Sequence, residues 1–403
     1  MMDLLDRISA KERQYVEEVL ATQFRSSQGS VMMKRVEETF AAKFGMKYAI
    51  SHINGTATMH AALAAAQIGL GDEVIVPPLT MSATAFAVLQ NNAIPVFSDV
   101  DPETFTISTT SIQKCITPRT KAIIPVALYG LSPDIDDIME IAETNNLTVI
   151  EDDAQCFLGK YKGRYVGTTA HMSSFSFQSS KHMTSGEGGM IVTDDRALAT
   201  EVRRFSSLGY AGVGAEKGKI TKADIQDPTY ERHISMGWNY RMPELCAAVA
   251  LAQLERLDEL VQRRIDCAKL FDEVVKKCGW LRPQSVPPGY ESSYWTYVVK
   301  LENPKITWYQ FRDSFVANGG DGIYAAWQLT YLEPMFQKMQ LAGREVFFNK
   351  PYYKKLPQVY GRGLCPVAES IQPYLLQFKT NYWRWEDVER QADILQRTIR
   401  ELD

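Results

Sequence analysis

The sequence predicts an α/β layered fold with a largely parallel sheet, on three grounds. The first is alternation. Between residues 48 and 152, strand-like runs and helical patterns take turns, which is the order in which crossover helices join parallel strands. The second is composition. Hydrophobic residues are 45% and charged residues 23%, the mix of a chain that buries its own core, and this excludes disorder, collagen and a mucin-like stalk. The third is length. At roughly 150 residues per domain, 403 residues suggest two or three structural units, enough for a large core without disulfide or metal staples.

Two amphipathic helices are expected at 7–21 and 30–44, with Ser26, Ser27, Gln28 and Gly29 as the loop between them. The alternation then runs strand 48–53, alanine-rich helix 56–66, β-branched run 73–77 and helix 82–90. Strand 94–99, helix 109–115, strand 122–126, helix 134–145 and strand 147–152 continue it. GEGGMIVTDD at 186–195 reads as a hairpin, followed by a helix near 195–206. The stretch 209–236 has little periodicity, and a long irregular segment is usually functional or mobile. Residues 243–275 read as one long helix, with a kink allowed, and the change of domain is placed within it: a large unit 1–260 and a smaller unit 261–403. The second unit is expected to hold a strand near 295–301 and helices near 307–318 and 385–401.

The formal net charge of -4 offers no basic field for nucleic acid or an anionic membrane. Six cysteines without a C-x-x-C pair argue against zinc and for reduced thiols in a cytoplasmic setting. The opening MMDLLDRISAKERQ lacks an apolar signal core, and the longest apolar runs are too short to cross a bilayer.

Three clusters carry chemistry. Asn54-Gly55-Thr56 stands at a strand-to-helix junction, where free N–H groups could cradle a phosphate; taken alone, the residues favour a simple turn capped by Thr56. Glu151-Asp152-Asp153-Ala154-Gln155 follows an apolar strand, at the end where open α/β sheets bind ligands; an acid there could pair with a protonated ring nitrogen or merely face water. Lys181, between Ser176-Phe177-Gln178-Ser179-Ser180 and a glycine-rich turn, could be a Schiff-base lysine or a surface lysine. Together they supply the three groups that pyridoxal 5′-phosphate (PLP) needs: a phosphate anchor, an acid for the ring nitrogen and a lysine.

At this point the chain resembles the DegT/StrS family of PLP-dependent sugar aminotransferases. The matching blocks are NGTA at 54–57, GDEVIVPPLT at 71–80, DVDPETF at 99–105, PVALYG at 125–130 and EDDAQ at 151–155. The lysine-to-GEGG block and GWNYRMPELCAAVALAQLERLD at 237–258 complete them. The resemblance implies a type I aminotransferase (aspartate aminotransferase-like) fold: a large domain with a mixed, mostly parallel seven-stranded sheet and a smaller C-terminal α/β domain. It implies Lys181 as the Schiff-base lysine and proton carrier, Asp152 as the partner of the ring nitrogen and Gln155 beside the ring hydroxyl. Gly55, Thr56, Ala57 and Ser176 match the phosphate site, and Asn239 matches an asparagine reaching the neighbouring subunit's phosphate, which implies a homodimer with shared active sites.

Some positions depart from the family pattern. Met81 stands where an aromatic ring usually covers the cofactor, Gln178 and Ala127 replace histidines, and Trp327 stands near a third. Substrate is expected near Ser27, Trp327 and Gln328. The resemblance implies transfer from L-glutamate (or glutamine) to a nucleotide-linked keto-sugar, for lipopolysaccharide O-antigen, capsule or other amino-sugar synthesis, with pyridoxamine 5′-phosphate as intermediate. A cyclitol ketone is the second acceptor class. A sugar 3-dehydratase, which carries histidine at the lysine position, and an inactive interaction protein are the competing readings.

Overall fold

The computed structural model describes residues 5–24, 31–338 and 360–403. Two N-terminal helices, α1 (Ala10–Ala21) and α2 (Val31–Phe44), precede the alternating region. That region runs β1 (Tyr48–His52), α3 (Gly55–Ala65), β2 (Glu73–Val76), α4 (Ala83–Gln90), β3 (Ile94–Phe97), α5 (Thr109–Cys115), β4 (Thr120–Ile123), α6 (Ile135–Thr144) and β5 (Thr148–Asp152). Two short strands, β6 (Lys160–Tyr161) and β7 (Arg164–Tyr165), lead to β8 (Met172–Ser176), β9 (Gly189–Thr193) and α7 (Arg196–Ser206).

These elements build a seven-stranded sheet in the order β1-β9-β8-β5-β4-β2-β3. β9 is antiparallel to both of its neighbours and every other pairing is parallel, so β9 alone runs against the other six. Alternate side chains leave on opposite faces, as the period of two requires. Val74, Val76, Ile124 and Ile150 join the core under α3, α4 and α7. Ile75, Ile123 and Val149 join the core beneath α5 and α6, and Ala49 and Val192 pack with α2. Both faces are therefore covered, which is why these strands read as continuous apolar runs. The C-terminal ends of β1, β5 and β8 and the start of β9 meet along one edge.

The remainder runs α8 (Lys222–Gln226), α9 (Glu244–Leu254), α10 (Leu257–Val275), β10 (Leu281–Pro283), β11 (Tyr290–Glu291), β12 (Thr296–Leu301) and α11 (Trp308–Ala317). β13 (Tyr324–Ala325), α12 (Pro334–Lys338), α13 (Pro366–Ile371), β14 (Leu375–Lys379) and α14 (Trp385–Leu402) finish it. A four-stranded antiparallel sheet, β10-β12-β14-β13, packs against α10, α11 and α14 around Phe271, Phe311 and Phe378. β11 returns to pair with β6. No helix among the described residues is long and apolar enough to cross a membrane.

Several boundaries differ from expectation for identifiable reasons. The long helix at 243–275 is two helices, broken at Arg256, whose guanidinium leaves the helix line to bond the Asp6 carbonyl at 2.6 Å and Glu12 at 3.3 Å. β4 ends at Ile123 rather than 126 because Pro125 has no N–H to continue the ladder. GEGGMIVTDD is not a self-contained hairpin: Gly189–Thr193 is a buried strand held between β1 and β8. The aperiodic stretch 209–236 carries only the short α8 as helix.

Candidate active site

The site is assembled at the sheet edge where β1, β5 and β8 end. After β1 the chain turns at Asn54, whose extended backbone and side chain cap α3 by accepting the Ala57 N–H at 2.8 Å. The Gly55 and Thr56 N–H groups, at the positive end of the helix, have no partner among the described residues. A Cβ on Gly55 would fall 2.9 Å from Ser176 Cβ and 3.2 Å from its Oγ. Glycine is therefore what lets the end of β8 lie against the start of α3, bringing the Ser176 hydroxyl to two free N–H groups. That is an anion cradle.

Asp152 ends β5 with 4% exposure. Its Oδ2 accepts the Thr84 hydroxyl at 2.8 Å and its Oδ1 accepts the Ala154 N–H at 3.2 Å. Burial pushes its carboxyl above the ordinary range, against the pull of those donors and the nearby Lys181 charge. Strand alternation turns Glu151 and Asp153 away from it, into the protein. Burial raises Glu151 to about 7, and burial with repulsion from Glu151 and Asp152 raises Asp153 well above the carboxylate range. Gln155 accepts the Tyr129 N–H at 2.9 Å through Oε1, leaving its amide NH2 as a donor.

Lys181 lies on the turn after β8 and is 9% exposed. Its Nζ stands 4.2 Å from the centre of the Trp295 ring. Burial, aided by the Arg264 charge, brings the amine down to about 8, while Asp152 and Glu187 pull the other way. His182, next in sequence, is fully buried with Nε2 2.9 Å from the Ser293 carbonyl and its ring against Phe157.

A cavity of about 590 Å³ unites Gly55, Thr56, Met81, Asp152, Gln155, Ser176, Lys181 and Trp327. Three of the expected site residues that are described are not on its wall. Ala57 is buried with its N–H bound by Asn54. Asn239 is exposed, on a bridge to Ser207. Gln328 is exposed and folds back on the Leu329 N–H at 3.2 Å. Ser27 lies outside the described residues. Asp153 and His182 are also absent from the wall. Sequence reasoning missed Thr80 and Trp295, which line the cavity, and Thr84 behind Asp152. Thr84 follows the PPLT block and could have been found there; Trp295 has no local signal.

Comparison with known proteins agrees with this geometry. Residues 6–350 match the DegT/DnrJ/EryC1/StrS aminotransferase family. The chain is 41% identical over 278 residues to GDP-perosamine synthase of Escherichia coli O157:H7, covering 69% of this chain and 72% of that protein. It is 38% identical to the L-glutamine:2-deoxy-scyllo-inosose aminotransferase of Micromonospora echinospora, over 67% of this chain and 64% of that one. The crystal structure of an aminotransferase from Psychrobacter cryohalolentis superposes with a TM-score of 0.84 at 27% identity, over 98% of both chains. The sheet, the cavity at its edge and the matched length lead to one conclusion: the chain belongs to the DegT/DnrJ/EryC1/StrS aminotransferase family and has the type I aminotransferase fold.

Proposed function

We propose that the protein moves an amino group from L-glutamate or L-glutamine to the carbonyl of a nucleotide-linked keto-sugar. The observation that carries this reading is a buried lysine amine, brought down to about 8, sharing one cavity with a buried carboxylate and an anion cradle. As a member of this family the chain uses PLP, with pyridoxamine 5′-phosphate as the alternate form.

The residues fit that group. The cradle of Gly55, Thr56 and Ser176 suits a phosphate, and the Thr80 hydroxyl on the cavity wall is a buried polar atom without a partner among the described residues. Asp152 suits a protonated ring nitrogen, the Gln155 amide a ring oxygen, and Met81 can cover a ring face with its polarisable thioether. The bound cofactor supplies a carbonyl that takes up the amine and a ring that accepts electrons from the reacting carbon. The protein's own part is to hold and move protons. Lys181, whose amine is brought near neutrality on the cavity wall, would accept and return a proton there. Asp152 keeps its charge where a positive ring would need it, and the buried surroundings exclude water.

The acceptor rests on similarity. GDP-perosamine synthase is named for a nucleotide sugar and the inosose enzyme for a cyclitol, so a cyclitol ketone is the second acceptor class. A dehydratase is disfavoured because Lys181 faces the cavity while the neighbouring imidazole, His182, turns to Ser293. The test is a panel of acceptors offered after L-glutamate. A GDP-4-keto-6-deoxyhexose is expected to yield an aminated product by mass spectrometry, and scyllo-inosose little or none. The reverse preference would replace the sugar with the cyclitol.

Trp327 lines the cavity at 38% exposure, its ring 5.9 Å from the Trp295 ring, where an entering sugar would meet it. Trp327→Ala is expected to raise the KM for the keto-sugar about tenfold, the equivalent of about 1.4 kcal/mol. The glutamate half-reaction should be unchanged; equal damage to both half-reactions would remove Trp327 from the sugar site.

The same reading assigns residues 1–260 to a cofactor-binding unit and 261–403 to a smaller one. It takes the active form to be a homodimer, in which the exposed Asn239 reaches the partner's cradle. The exposed Met236 and Trp238 beside Asn239 support such a contact. It sets the enzyme in the cytoplasm, in amino-sugar synthesis for a surface polysaccharide such as an O-antigen, with only small-molecule substrates.

A further inference from the structure

A buried arginine ordinarily meets a carboxylate. Arg264 of α10 is 1% exposed, and among the described residues its guanidinium meets neutral oxygens instead. Nη1 donates to the Trp295 carbonyl at 2.8 Å and reaches Thr380 Oγ1 at 3.4 Å. Nη2 donates to the Ser180 carbonyl at 2.8 Å and to the Lys181 carbonyl at 2.9 Å. The Trp295 indole N–H donates to the same Ser180 carbonyl at 3.0 Å. The lysine itself stands on a turn where its N–H bonds the Gln178 carbonyl at 2.9 Å, so its carbonyl side depends on groups from elsewhere.

We propose that Arg264 is a positioning residue for Lys181. It ties the carbonyls on either side of the reactive residue to the Trp295 carbonyl, and so sets where the amine stands between Asp152 and the Trp295 ring. Burying a cation without a counter-ion is a cost that packing alone does not require, and here the cation is spent on the backbone of the reactive lysine. Its charge has a second effect. The groups acting on the amine are Asp152 at the end of β5 and Glu187 past the glycine turn, which favour the ammonium, and Arg264, which favours the neutral amine. The groups acting on the guanidinium are Arg7, which also reaches the Lys181 carbonyl at 3.5 Å, and Cys267. The proposal rests on Lys181 being the amine that takes up the cofactor.

The test follows the visible band formed when PLP is mixed with the full-length, cofactor-free protein, across pH 6.5 to 10, for the parent, Arg264→Gln and Arg264→Lys. In the parent the rate should climb through pH about 8, the position of the Lys181 amine. Arg264→Gln is expected to move the midpoint up by about one pH unit, which lowers the rate at pH 8 about fivefold. Arg264→Lys keeps the charge but not the fork, so its midpoint should stay while its limiting rate at high pH falls. A folded Arg264→Gln with the parent's midpoint and limiting rate would overturn the proposal. If that variant does not fold, by circular dichroism, Arg264→Lys decides: parent-like values for both quantities overturn it. Absence of any band in the parent would instead remove the reading of Lys181, a separable outcome.

Discussion

Lys181→Met is expected to abolish the visible band of the bound cofactor and to cut transamination by about 10⁴-fold or more, since a single positioned acid–base group already contributes up to about 10⁴. Methionine keeps most of the side-chain volume, so the fold should survive. The same variant reports on what the site costs the protein. At pH 7 the lysine is charged whether folded or unfolded, and folding carries the full penalty of burying an ammonium. As pH rises from about 8 towards 10.5, the folded chain holds fewer protons at this residue than the unfolded chain, and the penalty is relieved. The interval between the two values corresponds to about 3 kcal/mol. Cofactor-free Lys181→Met should therefore be more stable than the cofactor-free parent at pH 7, by up to that amount, and the advantage should shrink towards pH 10. Denaturant melts at the two pH values measure it. A gap independent of pH would show that the amine is not held near neutrality.

The contrast between what the sequence revealed and what it hid follows from distance along the chain. Local signals were legible: Asn54-Gly55-Thr56 is a cap with two free N–H groups, and EDDAQ sits at a strand end because the apolar run before it is β5. β8 was missed because Met172–Ser176 is largely serine, a composition that reads as loop, although Ser173, Ser174 and Ser176 are all buried in the sheet. Its Ser174 hydroxyl meets Thr58 of α3 at 2.5 Å, so that polar group is satisfied within the fold rather than by water. Trp295 and Arg264 were invisible for another reason. They come from the C-terminal part of the chain, and their meaning lies in contacts with Ser180 and Lys181 across a sequence gap that no periodicity spans.

The lysine proposed to react is thus held by both halves of the protein. The N-terminal part supplies the cradle, Asp152 and the lysine. The C-terminal part supplies the ring over the amine and the cation behind its carbonyl. A relaxation of the contact between the two would loosen the lysine before it disturbed Asp152, whose hydrogen-bond partners, Thr84 and Ala154, lie in the N-terminal part.

Asp152→Asn isolates that other half of the site. Asparagine preserves size and can still accept the Thr84 hydroxyl, but it carries no charge to hold a protonated ring nitrogen. The cofactor band should persist, because Lys181 and the cradle remain, while the half-reaction with L-glutamate slows by about 10²–10³-fold, the usual cost of removing one fixed electrostatic group. The pH profile gives a second reading. Burial raises the Asp152 carboxyl, so in the parent the charge is lost as pH falls through that raised value, and the rate should fall with it. The variant has no such group, and its residual rate should lack that acid limb. A variant that loses the band altogether would make Asp152 a holding group rather than an electronic one. One that reacts at the parent rate would show that the Asp152 carboxylate takes no part in the chemistry, leaving Lys181 to carry the reaction alone.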